Sequence, residues 1–219
     1  MSLNIELARR NMIEQQVRPW DVLDSRVLEA LSAIRREDFV PAGGRNLAFA
    51  DIELPLGHGE TMMKPVVEGR ILQAAAAEKT DRVLEVGTGS GFLTACLARL
   101  AGEVVSIDQH ADFVEAARVR LAGAGVRNAS VETAEAVHGY APTHKFDVMV
   151  VTGAVATLPT RWREWVKPGG RLITVIGESP VQRATLFTRD AAGTWTDQAM
   201  FETDLSYLRN AAPVVRFAL

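Results

Sequence analysis

Hydrophobic and polar positions divide the chain into three zones. In the first, up to about Pro65, residues 5–16 have helical periodicity, and Asp24 or Ser25 is expected to cap a second helix. The apolar face of that helix would carry Val27, Leu28, Leu31 and Ile34. Residues 39–65 are rich in proline and glycine, so we predict a mostly irregular connection there. Long connections without regular secondary structure often carry functional residues.

The second zone, about 66–177, alternates short β-branched runs with helical stretches. Strands are predicted at 82–86, 104–107, 130–133, 146–152 and 171–176. Helices are predicted at 67–77, 92–100, 113–122 and 160–166. Strict alternation implies right-handed crossovers and a mostly parallel sheet with helices on both faces. The pattern therefore predicts an α/β, Rossmann-like, doubly wound fold.

The third zone, 178–219, predicts two strands, at 184–190 and 194–207, joined by a turn at 190–193. Such a hairpin would add antiparallel pairing at the sheet edge. The pattern leaves residues 211–219 unassigned. The length fits a single domain, 1–219, made of the three zones 1–65, 66–177 and 178–219.

Composition narrows the class of protein. The chain is 47% hydrophobic and 23% charged, and no apolar run reaches the length of a membrane helix. Its first residues carry scattered charges and no apolar segment, so we expect no signal peptide. The single cysteine, Cys96, lies in an apolar helical stretch, as expected in a reducing compartment. We therefore expect a cytoplasmic protein without a membrane partner, and the formal net charge of −3 disfavours nucleic acid as a partner.

A glycine loop is the sharpest local signal. The sequence VLEVGTGSGF, residues 83–92, runs from an apolar strand through three alternating glycines into a helix. Glycines let the backbone turn tightly and approach a ligand, and a helix amino terminus presents free N–H groups. The loop therefore predicts a nucleotide-like ligand, against the alternative of a tight turn without one.

The identity of that ligand is narrowed by the neighbouring residues. No lysine follows Gly91, which excludes a phosphate-binding loop of the nucleotide triphosphatases. Phe92 stands where a dinucleotide loop has its third glycine, which disfavours NAD without excluding it. Asp108 ends the second strand about 20 residues after the loop, where a carboxylate accepts ribose hydroxyls. Asp108 could instead cap the following helix.

These residues resemble the cofactor motifs of the class I S-adenosylmethionine-dependent methyltransferases. VLEVGTGSG and the following VVSID are similar to the glycine motif and the acidic second strand end, and KPGGRL (167–172) to the turn before strand five. The resemblance implies that the loop faces the amino-acid part of S-adenosylmethionine, Asp108 the ribose and Glu135 the adenine amino group. The cofactor-binding residues implied are Glu85, Gly87, Thr88, Gly89, Gly91, Asp108 and Glu135.

From about residue 11 to 207 the chain further resembles the protein-L-isoaspartate O-methyltransferases. The matching segments are REDFVP (36–41), LAFAD (47–51), PLGHGET (55–61) and Pro65. This resemblance implies methyl transfer to a carboxylate of damaged aspartyl residues, in protein repair, with an isoaspartyl-containing protein or peptide as partner. It also implies that 1–65 is the substrate side and 66–177 the cofactor-binding core.

Two segments depart from that family. Its loop resembles G-Q-T-I-S-Q-P, whereas residues 59–65 here read GETMMKP, so Met63 replaces the serine regarded as catalytic and Lys64 the next glutamine. Near the carboxyl terminus, TDLSY (203–207) stands where relatives resemble V-R-F-V-P. Both changes fall where substrate recognition is expected.

Three residues are candidates for the transfer step. A carboxylate acceptor is already ionised at pH 7 and needs no general base, so losing one hydroxyl need not abolish activity. Thr61 is expected near the transferred methyl, and Met63 either lines an acceptor pocket or packs the loop. His58 is either a base for a hydroxyl or amine acceptor or a structural hydrogen-bonding group. His110, His138 and His144 show no partner pattern for metal ligation, so no metal site is predicted.

Several functions stay open at this level. The altered loop and carboxy-terminal strand also suit a methyltransferase that acts on a small molecule. The same fold could serve as a non-catalytic S-adenosylmethionine binder or a protein-interaction module. An NAD oxidoreductase is a residual alternative without an identifiable acid/base pair. The residues do not indicate an oligomeric state.

Overall fold

The computed structural model describes residues 4–214, in which it places six α-helices and nine strands. The α-helices are α1 (Ile5–Met12), α2 (Ser25–Ala33), α3 (Pro65–Ala75), α4 (Phe92–Leu100), α5 (Ala111–Gly123) and α6 (Trp162–Trp165). The strands are β1 (Leu54–Gly57), β2 (Glu60–Met62), β3 (Arg82–Val86), β4 (Glu103–Asp108), β5 (Ala129–Thr133), β6 (Phe146–Val155), β7 (Val166–Glu178), β8 (Val181–Arg189) and β9 (Trp195–Thr203). A π-helical turn at Ile13–Val17 extends α1, and Asp24 caps α2, as predicted.

Seven strands form one sheet in the order β5-β4-β3-β6-β7-β8-β9. The strands from β5 to β7 pair in parallel, whereas β8 and β9 add antiparallel pairs at the edge. The predicted fold class is therefore confirmed. Chain order reverses beside β3, because β4 lies on one side and β6 on the other. In open α/β sheets, ligands bind outside the carboxyl ends of the strands at such a switch point.

Apolar side chains fill both faces of the sheet. Val83, Val148 and Ile173 belong to the cluster covered by α2, α3 and α4, while their neighbours Leu84, Met149 and Leu172 belong to the cluster on the other face. This two-residue alternation is the reason the central strands read as continuous apolar runs, since both of their faces are buried. None of the helices in residues 4–214 has both the length and the apolar character that crossing a membrane requires.

Several predicted elements differ in the structure. The helix predicted at 160–166 is the single turn α6, because Val166 already pairs with Phe146 and β7 begins there. The expected turn before this strand is instead an irregularity within β7, with Gly169 at φ 79°. The connection 39–65, predicted to be mostly irregular, contains the β1–β2 hairpin. Its central residues, His58 and Gly59, have φ of 54° and 79°, as a tight hairpin turn requires.

The strand predicted at 194–207 ends at Thr203. Beyond it the chain leaves the sheet edge and runs back to β6, where Tyr207 forms an isolated parallel bridge with Ala154. Burial of Leu205 accounts for this departure, because an edge strand continuing outward would leave that side chain in water. Of the unassigned residues 211–219, the structure describes 211–214, and Ala156 N donates to the Ala211 carbonyl at 2.8 Å. Residues 215–219 lie outside the described part.

A buried arginine holds the amino-terminal zone on the core. Arg36 is fully buried, and its guanidinium pairs with Glu68 of α3 and donates to the carbonyls of Ala48 and Met63, both at 2.8 Å. The same group lies over the Phe92 ring, 4.8 Å from its centroid. All of these partners are shielded from water, so the charge cannot be exchanged for solvent contacts without opening the structure.

We expect Arg36→Met to lower the free energy of unfolding by about 3–5 kcal/mol, because it leaves the buried Glu68 carboxylate without its cation. The matched control is Arg35→Met, which removes an exposed arginine and should cost no more than about 1 kcal/mol. Urea denaturation of both variants measures the difference. Equal, small losses would contradict the anchoring role of Arg36.

Candidate active site

A cleft lies at the carboxyl ends of β3, β4 and β6, and it encloses about 680 Å³, including the part open to solvent. Its walls come from several segments of the chain. They are the glycine loop, the β1–β2 hairpin, the residues that follow β4, those that follow β5, the carboxyl-terminal half of β6 and residues 205–209.

The glycine loop is shaped by close contacts with its own fold. Gly87, Gly89 and Gly91 all have positive φ, at 95°, 50° and 85°. A Cβ on Gly87 would collide with the Thr152 side chain, whose hydroxyl donates to the carbonyls of Val86 and Gly87. Part of the glycine requirement is therefore internal, since the loop is held against β6. The absence of side chains on Gly87 and Gly89 also leaves the cleft wall open for a ligand.

Asp108 lies at the end of β4, is 7% exposed and lines the cleft. Its carboxylate accepts the backbone N–H groups of Gly89 and His110, each at 2.9 Å. The helix-capping alternative is wrong, because the N-cap of α5 is His110 and no side chain caps that helix; Asp108 instead fixes the turn after β4 and the glycine loop. Carboxylate oxygens have four lone-pair sites, so two hydrogen bonds leave capacity for ribose hydroxyls.

Glu135 also lines the cleft, after β5. Partial burial raises the pKa of this carboxyl, but hydrogen bonds from the backbone of His138, Val137 and Gly139 outweigh it, and the net pKa lies below its ordinary value. The group is thus a fixed anion at neutral pH. An adenine amino group, a hydrogen-bond donor, suits such an acceptor.

Glu85 lies beneath the glycine loop and does not line the cleft. Its carboxyl accepts from the Thr94 hydroxyl and from Ser106 Oγ at 2.6 Å, and Ser106 Oγ lies 2.6 Å from Thr88 Oγ1. Burial raises the pKa of Glu85 to about 8. A Cβ on Gly91 would lie 3.1 Å from Ala117 Cβ, so this glycine packs against α5, behind the cleft.

The seven residues predicted to hold a cofactor thus fall into two groups. Gly87, Gly89, Asp108 and Glu135 line the cleft. The other three, Glu85, Thr88 and Gly91, support the loop from behind.

The β1–β2 hairpin brings Thr61 and Met63 to the cleft. Thr61 Oγ1 donates to Glu53 Oε2 at 3.1 Å, so its hydroxyl is already engaged. Met63 is 6% exposed and presents an apolar surface, while Met62 is buried in the core. Glu60 lines the cleft as well, and burial raises the pKa of its carboxyl.

His58 lies at the rim, in the hairpin turn. Its Nε2 is 3.0 Å from Asp112 Oδ2, and this hydrogen bond lowers the pKa of Asp112. Its ring stacks on His110, with centroids 4.1 Å apart and planes inclined by 7°. These contacts support the structural interpretation of His58, because they fasten the hairpin turn to the start of α5.

The prediction that His110 lacks partners for metal ligation was wrong in its premise. Ligand atoms of His58, His110 and Asp112 lie within 4.8 Å of one another. The two rings are stacked in parallel, however, and nitrogen lone pairs lie in the ring planes. A single ion would therefore lie outside at least one ring plane, and the arrangement favours stacking and hydrogen bonding over ligation.

The cleft residues that the sequence did not predict include His110, Thr152, Ser206 and Arg209. Ser206 lies in the segment that departs from the family pattern, and that departure was a signal in the sequence. The others come together only through the sheet topology and carry no local motif.

Comparison with known proteins assigns the sequence to a family. The family model for protein-L-isoaspartate(D-aspartate) O-methyltransferase matches residues 8–205. A protein-L-isoaspartate O-methyltransferase of Koribacter versatilis is 39% identical over 187 residues, which cover 85% of this chain and 84% of the relative. One from Methanoculleus marisnigri is 37% identical over 174 residues, covering 80% and 79%.

Solved structures share the fold. A Plasmodium falciparum chain, described as a protein-L-isoaspartate O-methyltransferase in complex with S-adenosyl-L-homocysteine, matches with a TM-score of 0.78 at 17% identity, over 95% of this chain and 99% of that one. A second protein-L-isoaspartate O-methyltransferase matches with a TM-score of 0.80 at 24% identity, over 93% and 67%.

We expect Gly87→Ala to weaken binding of S-adenosylmethionine about tenfold or more, because the new Cβ meets Thr152 and the backbone has positive φ. Gly123→Ala is the control, since a Cβ there meets nothing within 4 Å and φ is not positive. Titration calorimetry gives both affinities. Unchanged affinity in a folded Gly87→Ala protein would contradict the close fit of the loop.

Glu85 predicts a pH dependence of stability. Between its ordinary pKa of 4.5 and its folded pKa of about 8, the unfolded carboxyl is ionised while the folded one keeps its proton. Rising pH therefore lowers the free energy of unfolding through this window, by about 1 kcal/mol per pH unit. Compared with Glu85→Gln, the wild type should lose stability from pH 6 to 8, whereas exposed Glu132→Gln should follow the wild type. Parallel denaturation curves for wild type and Glu85→Gln would refute the buried, protonated carboxyl.

Proposed function

The chain belongs to the protein-L-isoaspartate(D-aspartate) O-methyltransferase family, and we propose that it methylates the carboxylate of isoaspartyl residues in damaged proteins or peptides. It is an S-adenosylmethionine-dependent O-methyltransferase. The proposed acceptor is supported by how much of the chain matches the family. The family match includes the amino-terminal zone and the hairpin, which lie on the acceptor side, as well as the cofactor core.

The cleft residues fit the cofactor. Gly87 and Gly89 leave the wall without side chains, and Asp108 and Glu135 offer carboxylate oxygens for ribose hydroxyls and an amino group. We propose these four as the cofactor-binding residues, with Glu85, Thr88 and Gly91 as their support. When bound, S-adenosylmethionine supplies an electrophilic methyl group.

The chain's own task in the transfer is alignment. An in-line displacement requires the acceptor oxygen to be held on the axis of the breaking bond, with water excluded. Thr61, Met63 and Leu205 form the wall beside the glycine loop, and Met63 and Leu205 exclude water through apolar surface. A carboxylate acceptor gives up no proton, so the pairing of His58 with Asp112 removes nothing the reaction needs.

One observation favours a second candidate. Met63 puts an adaptable apolar side chain into the acceptor side of the cleft, which also suits a small apolar acceptor. The free, buried Cys96 supports a cytoplasmic location, because a reducing compartment keeps such thiols unpaired, and the net charge of −3 gives no general attraction to nucleic acid.

Labelled S-adenosylmethionine tests the proposal directly. With a short isoaspartyl peptide and its normal aspartyl counterpart, we expect label only in the isoaspartyl peptide, as an ester that releases methanol at alkaline pH. Gly87→Ala is the cofactor-side control and should reduce labelling. Cofactor binding without label in either peptide would refute the isoaspartyl acceptor and leave the small-molecule candidate.

A further inference from the structure

Three hydroxyl-bearing residues line the cleft within the described part of the chain: Thr61, Thr152 and Ser206. The Thr61 hydroxyl donates to Glu53, and that of Thr152 donates to two carbonyls beside the glycine loop. Ser206 Oγ has a weaker engagement, because its partner, the Gly59 carbonyl, is 3.5 Å away. Its hydroxyl is therefore the one available to a bound acceptor.

The backbone around Ser206 is fixed on both sides. The buried side chain of Gln182 both donates to the Leu205 carbonyl, at 3.2 Å, and accepts the Leu205 N–H, at 2.8 Å. On the other side, the Tyr207 hydroxyl donates to the Gly177 carbonyl at 2.9 Å. Both clamps come from the β7–β8 region of the sheet, so the segment is held by rigid elements.

Ser206 itself is attached to β6. Its carbonyl accepts the Ala154 N–H at 2.8 Å, and Leu208 N donates to the Ala154 carbonyl at 2.9 Å. β6 also carries Thr152, which holds the glycine loop. β6 thus positions both the Ser206 hydroxyl and the glycine loop. A shared rigid strand of this kind gives the positional accuracy that methyl transfer requires.

Arg209 makes the segment that carries Ser206 suitable for binding an anion. Glu60, Asp108 and Glu135 are carboxyl groups that line the cleft, and they disfavour entry of a carboxylate. Arg209 also lines it, and its guanidinium forms no ion pair with any side chain in residues 4–214. The Arg209 guanidinium therefore attracts an entering carboxylate, which the three carboxyl groups repel.

The departures from the family pattern at positions 63 and 206 are complementary. In the family resemblance, position 63 is a serine and position 206 a valine, whereas here position 63 is methionine and position 206 serine. The hydroxyl and the apolar side chain have exchanged positions within one cleft.

We propose that Ser206 and Arg209 form the acceptor-carboxylate subsite, with the Ser206 hydroxyl donating the hydrogen bond that Met63 cannot. This inference rests on the proposed isoaspartyl acceptor. During transfer the acceptor oxygen forms the new C–O bond while the C–S bond breaks and leaves its electron pair on sulfur. Ser206 keeps its proton throughout, and Arg209 lowers the energy of the entering anion.

Steady-state kinetics with the isoaspartyl peptide test the subsite. Ser206→Ala should lower kcat/KM about ten- to a hundredfold, as expected for one hydrogen bond lost from the transition state, with S-adenosylmethionine affinity and Tm unchanged. Ser206→Thr should retain part of the activity, and Met63→Ser added to Ser206→Ala should restore part of it. Arg209→Gln should raise KM more than it lowers kcat. Ser130→Ala, an exposed hydroxyl on β5, is the matched control.

The outcomes separate the two proposals. No label from the wild type in the isoaspartyl peptide refutes the proposed function and the subsite with it. An active wild type with an equally active Ser206→Ala refutes the subsite alone. A loss that comes with weakened cofactor binding assigns Ser206 a structural role instead, and failure of Met63→Ser to restore activity refutes the exchange between positions 63 and 206.

Discussion

The buried guanidinium of Arg36 is the interaction on which the placement of the amino-terminal zone against the core depends. It holds the carbonyls of Ala48 and Met63, pairs with Glu68 and covers the ring of Phe92. Phe92 begins the helix after the glycine loop, so one cation connects the end of the β1–β2 hairpin with the glycine loop. Replacing it by a neutral group would leave a buried carboxylate and free carbonyls, which no nearby solvent can satisfy.

A second buried group, Glu85, supports the glycine loop as Arg36 supports the amino-terminal zone. Glu85 joins β3, β4 and α4 through the hydroxyls of Ser106 and Thr94, and Thr88 extends the chain of hydrogen bonds into the loop. The cleft surface is therefore shaped from beneath. Some of the motif residues predicted to contact a ligand face the cleft, whereas the others fix the backbone of the cleft wall.

The central strands and the glycine loop could be predicted because both depend on local pattern: buried strands need continuous apolar runs, and the loop needs glycine. The helix at 160–166 was overestimated because the pairing of Val166 with β6 outweighs local helical preference. Roles at the cleft were harder to assign. Whether Glu85 faces a ligand depends on the neighbouring strand, and the orientation of Ser206 depends on Gln182, to which no local pattern points.

The return of residues 205–209 to β6 has a consequence for the newly made protein. The glycine loop, β4 and Glu135 are all synthesised well before Ser206, yet the cleft wall formed by residues 205–209 is completed only when that later segment docks beside Ala154. The cleft therefore cannot take its final shape until nearly the whole chain has been synthesised.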